Sequence, residues 1–437
     1  MNADLRPIKT QAETALAEAF AAAKERLPGG REVAARREAA FHRFEARGLP
    51  SRRVEEWKYT DLRALMRDAK PLADPPGRAR PQALADALPG IAARRVAIVN
   101  GVYVPAWSDA EAGDPGVTVT DLFTWLADNP DYPLDRDSEP IDRALALNSA
   151  FMTGGVVIHV KKGASVAEPI HLAHVFSGEW AAAMYPRTHV IVEAGAQLTL
   201  IETFDGPAGL DYQVNGALVL SVADGATVER IKVARDGAAA LHLATIIGSV
   251  GAQANYREFT FTTGGAVTRN ELFLRSAGDN AKIRIAGANL LKGRQHADAT
   301  LVVDHAARGC ESREVFKSVL DGESRGVFQG KIIVEPDAQK TDGKMMTQAL
   351  LLSDTAESDN KPELEIFADD VQCGHGATAG RLDENLLFYL RARGIPPKEA
   401  EALLIQAFVG EAIEGIAHEG LRDILSERVV AWLEARQ

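Results

Sequence analysis

The phrases VEAGAQLTL at Val192–Leu200 and VADGATVERIKV at Val222–Val233 carry the architectural signal of this chain. In each, a Gly-Ala pair closes a turn and a strand-like run follows, with every second side chain on one face. The phrase also stands at Gly163-Ala164 in VKKGASV and at Gly251-Ala252 in VGAQANYREFTF, so the Gly-Ala pairs are 32, 30 and 26 residues apart. Such a turn-then-strand unit predicts a β-solenoid, whose coils bury their apolar faces only by stacking on one another. An antiparallel sandwich is the rival reading. It needs tight hairpins, and between Gly154 and Gln372 Asn215-Gly216 is the only clear Asn-Gly one.

On either side of these units the pattern changes. From Thr10 to Gly48 apolar residues fall at helical spacing, and Pro28-Gly29-Gly30 separates two helices. PSRRVEEWKYTDLRALM, Pro50–Met66, follows; Trp57 and Tyr59 would pin it to its domain, and Thr60 or Asp61 would cap a short helix. Val96–Trp107, VAIVNGVYVPAW, reads as a hairpin about Asn100-Gly101. After Gly380 the period is helical again: Asp383–Arg393, a second helix opened by Pro396-Pro397, and a third from Leu421 to Ala435. The expected organisation is a helical N-terminal domain over 1–95, a connecting region over 96–153, a solenoid core over 154–377 and a helical C-terminal domain over 378–437.

The 437 residues carry a net charge of −12 with no polybasic face, which argues against nucleic-acid partners. MNADLRPIKTQAETALAEAF is charged where a signal peptide needs an apolar core, and no run of eighteen apolar residues occurs, so a cytoplasmic protein without membrane spans is expected. Two cysteines, Cys310 and Cys373, make no disulfide framework.

Metal chemistry concentrates in KPELEIFADDVQCGHGATAGRLDENLLFYLRARGI, Lys361–Ile395. Read as an extended segment, it puts Leu364, Ile366 and Ala368 on an inward face and Glu363, Glu365, Asp369, Cys373 and His375 on an outward one. Cys373 and His375, two residues apart, would lie roughly 6.5 Å from each other. Two ligands do not close a site, since structural zinc takes four and catalytic zinc three. Either the pair is inert or a partner completes it. His305, with Asp304 and Cys310, is a weaker second candidate. His159, His171, His174, His189, His242 and His296 read as surface or satisfied core residues.

Other chemistries lack their motifs. The glycines from Gly374 to Gly380 miss a dinucleotide loop by one residue, and Gly326–Lys331 misses a P-loop, with Ile332 where Ser or Thr should hold magnesium. There is no G-x-S-x-G elbow and no H-E-x-x-H helix. Asp304, Glu311, Arg313 and Lys317 would serve an alternative reading as a β-helix polysaccharide lyase or hydrolase.

The words EEWKYTDL (Glu55–Leu62), GKIIVEPDAQKTDGKM (Gly330–Met345), LLLSDTAESDNKPELEIFADDVQCGHGATAG (Leu350–Gly380) and LLFYLRARGI (Leu386–Ile395) closely resemble the SufD family. The resemblance implies a right-handed parallel β-helix between helical ends, and a non-enzymatic scaffold subunit of an iron–sulfur cluster assembly complex. Its implied partners are a SufB-like paralogue and a SufC-like ABC ATPase, so ATP would enter only through SufC. It also implies that His375 faces a SufB cysteine across paired β-helix strands, sharing a transient iron–sulfur cluster, with Cys373 as auxiliary ligand. No thiol stands near Thr347-Gln348-Ala349, where the paralogue carries its cysteine. Leu403, Leu404 and Phe408, on an apolar helical stripe, are the expected ATPase docking surface. Whether the isolated chain is a monomer or a homodimer, and whether a reduced flavin binds the complex, stays open at this level.

Overall fold

The computed structural model describes residues 9–86, 88–109, 114–134 and 143–436. The first eight residues of the stretch read for a signal peptide, and parts of the connecting region, lie outside these. Among the described residues, two ten-stranded sheets wind into a parallel β-solenoid with helices at both ends. The chain alternates between the sheets. One runs from Arg94–Val99 through Ile170–Val175 and successive strands to Asp342–Leu351 and Gln372–Gly380; the other ends on Arg325–Val334 and Glu357–Ile366. Pairing between coils is parallel and in register, so each lumen-facing position stacks on its counterpart in the next coil.

The Gly-Ala turns do what their spacing implies. Gly163, Gly195 and Gly225 have φ of 66, 68 and 68°, the left-handed region that glycine enters without penalty. The alanine after each turns toward the lumen, and Ala196 and Ala226 are fully buried. In the fourth unit the left-handed residue is Gln253, not Gly251, and Ala254 takes the buried place. The series continues where no Gly-Ala pair marks it: Asn280 before Ala281, Gly309 before Cys310, and Lys340 before Thr341. Asn215-Gly216 is no hairpin. Both residues sit inside the strand Gln213–Val222, where Asn215 Nδ2 donates to the Ala144 carbonyl and the Asn215 carbonyl accepts from Asn148 Nδ2. Asn100-Gly101 does form the expected tight turn, both residues at positive φ, between Arg94–Val99 and Val102–Tyr103.

Helices cover the outer faces. Gln11–Ala23, begun by a Thr10–Glu13 capping box, packs with Arg31–Arg47 and Arg143–Phe151 through Phe20, Phe41 and Phe151, and the group closes on Leu241, Leu243 and Val267. Trp57 is 1% exposed, with the Arg269 guanidinium 3.8 Å above its ring, while Thr60 donates to the Asp298 carboxylate. Asp61 is the residue that caps Leu62–Leu65. Tyr59 stays half-buried, so Trp57 and Thr60 do the pinning. At the other end, Pro397–Ile413 and Glu419–Ala435 press Ile405, Val409 and Leu425 onto Ile231, Phe259 and Leu290 of the first sheet. Each such aliphatic side chain contributes about 1.5–3 kcal/mol on full burial. No helix among the described residues is long and apolar enough to cross a membrane.

Candidate functional site

Cys373 and His375 lie on Gln372–Gly380, the last strand of the first sheet, which among the described residues pairs only with Asp342–Leu351. Their two-residue spacing puts them on one face, as the sequence implies, but that face is the lumen side. Cys373 is in register with Gly343 and His375 with Met345, and Met345 is sealed in the core at 2% exposure. The outward expectation treated Lys361–His375 as one continuous strand. The chain instead turns after Ile366 and crosses to the opposite sheet, so Glu363 and Glu365 belong to a different strand from the pair. Those carboxylates do face out, Glu365 bonded to Lys331 at 2.9 Å and Glu363 to Lys361 at 3.1 Å. Leu364 faces in, against the lumen core.

His375 is exposed because no further coil covers a position that would otherwise be core. Cys373 is half-buried against the same core, and burial pushes its thiol pKa up, an effect the Gly343 amide partly offsets. It is therefore a protonated thiol near neutral pH rather than a ready thiolate. Among the described residues no three His, Cys, Asp or Glu side chains are grouped to hold a metal ion, so the pair is at most half a ligand set.

Beneath the pair lies a residue that sequence reasoning missed. Glu314 is in register with Met345 and hence two strands from His375. It is fully buried, neither carboxyl oxygen has a hydrogen-bond partner of normal geometry, and desolvation raises its pKa to about 8. The available signal was the alternation Ser312, Glu314, Phe316, which places a carboxyl at a lumen position once the facing is known.

The weaker candidates are not brought together as a metal site. Asp304 pairs with Arg275, His305 Nε2 meets the Ser312 hydroxyl at 3.0 Å, and Cys310 fills the small buried place after a turn, its thiol toward the Gly278 carbonyl. The other histidines are structural: His242 between Asp236 and Lys232, His171 on Thr203, His159 on Glu193, His189 beside Arg187, His296 on Thr60, and His174 stacked on Phe204. The residues of the lyase reading do not converge either. Arg313 pairs with Asp342, Lys317 with Glu411 and Glu311 with Lys282, while Asp304 lies on the other sheet.

Around the open end the surface is apolar. Of the ten exposed large hydrophobic residues among the described residues, six lie between Met346 and Tyr389: Met346, Ile366, Phe367, Leu386, Phe388 and Tyr389. The helix Glu384–Ala392 buries none of its residues. Leu404 and Phe408 are half-buried, lining with Leu386 a groove of about 380 Å³; Phe408 also packs on the core and holds the Lys317 ammonium 4.5 Å above its ring. Leu403 is exposed.

The parallel β-solenoid leaves a Cys–His pair on the uncovered lumen face of its last coil, ringed by exposed apolar side chains, which places it among solenoid proteins with one coil end left open. Residues 174–408 match the family described as SUF system FeS cluster assembly, SufBD core domain, and residues 11–172 match the SufBD protein N-terminal region. The chain is 33% identical over 389 residues to the iron–sulfur cluster assembly protein SufD of Escherichia coli, covering 87% of this chain and 89% of that one. It is 29% identical over 395 residues to a SufBD family protein of Synechocystis, 87% of each chain, and 25% identical over 334 residues to SufD of Bacillus subtilis, 71% and 73%. The chain belongs to the SufBD family of iron–sulfur cluster assembly proteins, on its SufD side.

Proposed function

We propose that this chain is a non-enzymatic, cytoplasmic scaffold subunit that pairs with a SufB-like paralogue and, with it, forms a site for a nascent iron–sulfur cluster. The observation that carries this reading is the last coil. Among the described residues, Glu357–Ile366 and Gln372–Gly380 both end their sheets with one side unpaired, and such edges accept strands of another chain. Strand addition there would cover His375 and bring partner ligands to it. A neutral imidazole is a good borderline ligand for iron, and a partner thiolate supplies the soft ligand. His375 leads because it is exposed; Cys373 assists, since binding would first cost it a proton. The cluster is cargo, formed and passed on.

An ATPase of the SufC type would dock on the C-terminal helices, and ATP would act only through it. The accessible part of that surface is Leu403 with Leu386, Phe388 and Tyr389, because Phe408 is engaged in packing. Co-expression with SufB- and SufC-like partners, followed by cluster reconstitution on the complex, tests the assignment. His375→Ala should leave the complex intact and abolish cluster formation. Undiminished clusters would remove the ligand role.

A further inference from the structure

The outer face of the first sheet carries a row of cations. Arg257, Arg284, Arg313 and Lys344 occupy one register position on four successive strands, so they stack at about 4.8 Å intervals. Like charges placed directly opposite destabilise a sheet, and each such row must be neutralised or disfavoured. Asp342 neutralises the far end, 2.6 Å from Arg313 and 3.5 Å from Lys344. Among the described residues Arg257 and Arg284 have no carboxylate at ion-pair distance, and the Arg257 Nε is buried without a hydrogen-bond acceptor. Three acids line the same groove and each has another partner: Glu229, beside Arg257 in register, accepts from the Ala417 amide at 2.7 Å through Oε1, Glu258 pairs with Arg230, and Glu411 holds Lys317.

These arginines form one wall of a cavity of about 350 Å³, with Ala286 and Val315 on its floor and Ala412 and Ile416 on the wall opposite. That volume suits a small molecule. The chemistry on the two sides differs: planar guanidinium forks match phosphate oxygens in bidentate fashion, and the aliphatic floor matches a flat apolar group. We infer that this groove binds a phosphorylated small molecule, its phosphates on Arg257 and Arg284 and its apolar ring on Ala286 and Val315. The row continues to Gly374, between Cys373 and His375 in the chain. A ligand at Arg284 would therefore sit three strand spacings, roughly 14 Å, from the cluster half-site, on the other face of the sheet.

Calorimetric titration of the full chain at physiological salt, with adenosine diphosphate and with inorganic pyrophosphate as probes, tests this. Both should bind saturably, the nucleotide the tighter by at least roughly tenfold. The double variant Arg257→Ala/Arg284→Ala, with an unchanged melting transition, should weaken both by at least roughly tenfold, the scale of one charge-assisted hydrogen bond. Absence of saturable binding, or equal binding by the double variant, would overturn the site. A nucleotide that binds no tighter than pyrophosphate would overturn the role given to the apolar floor.

Discussion

Met345 and His375 occupy the same lumen position on adjacent strands, and only the absence of another coil separates a sealed core residue from an exposed imidazole. The two substitutions to alanine should therefore diverge. Met345→Ala removes a packed side chain and should cost about 2–5 kcal/mol in chemical denaturation. His375→Ala should change stability by less than roughly 0.5 kcal/mol. Equal losses would mean that His375 is a packing residue.

Cys373 should alkylate slowly at neutral pH and faster as pH rises past 9. Its pKa lies above the ordinary value of 9.0 because the thiol is partly desolvated, which leaves roughly one per cent or less as thiolate at pH 7. Iodoacetamide labelling followed by mass spectrometry reads this directly. Cys310, with no exposed surface, should label only on unfolding, and rapid neutral-pH labelling of Cys373 would show that its thiol is activated.

Glu314 should make stability fall with pH. Its folded pKa of about 8 exceeds the ordinary 4.5, so between those values the folded chain binds more protons than the unfolded one. The slope of unfolding free energy with pH is then negative from this group, its contribution present below 4.5 and lost as pH passes 8. Glu314→Gln removes that slope, and the variant should gain on the native chain by up to roughly 4 kcal/mol between pH 5 and 8.5. Parallel stability–pH curves for the two proteins would show that Glu314 is solvated or paired.

Trp57→Ala should cost about 3–5 kcal/mol, as expected for a fully buried aromatic residue. It also strips the cover from Arg269, which is buried between Glu271 and Asp298. Denaturation monitored at the remaining tryptophans and by far-ultraviolet dichroism would show whether the N-terminal segment detaches before the solenoid unfolds.

If a SufC-like ATPase docks on the C-terminal helices as proposed, Leu386→Asp combined with Leu403→Asp should abolish its copurification while leaving the melting transition in place, since both side chains are already exposed. Retained copurification would move the docking surface elsewhere.

Much of the fold was legible because a solenoid repeats. Gly163, Gly195 and Gly225 needed positive φ, and glycine advertises that need. Gln253, Asn280 and Lys340 fill the same role without advertising it, and Gly309 is followed by Cys310 rather than alanine, so the Gly-Ala phrase does not mark the units between Gly251 and Gln372. The pair Cys373–His375 was legible as a pair, since a two-residue offset fixes one face, but which face depends on where the chain turns. That turn after Ile366 carries no glycine or proline before Gly374, so in the sequence the sheet crossing looks like one continuous strand. The helical stripe that carries Phe408 does not say which of its edges meets the sheet, and Phe408 packs on the core. The arginine row was invisible for a related reason: Arg257, Arg284 and Arg313 are neighbours only in a register that the sequence does not print.

On the proposed function, His375 holds iron in a cluster shared with a partner chain. Pulsed electron paramagnetic resonance on the reduced cluster of the co-expressed complex, labelled with ¹⁵N-histidine, tests it most directly. A nitrogen hyperfine coupling in the native complex that disappears in His375→Ala is the predicted result; a coupling that persists in that variant, or a native cluster with none, would contradict it.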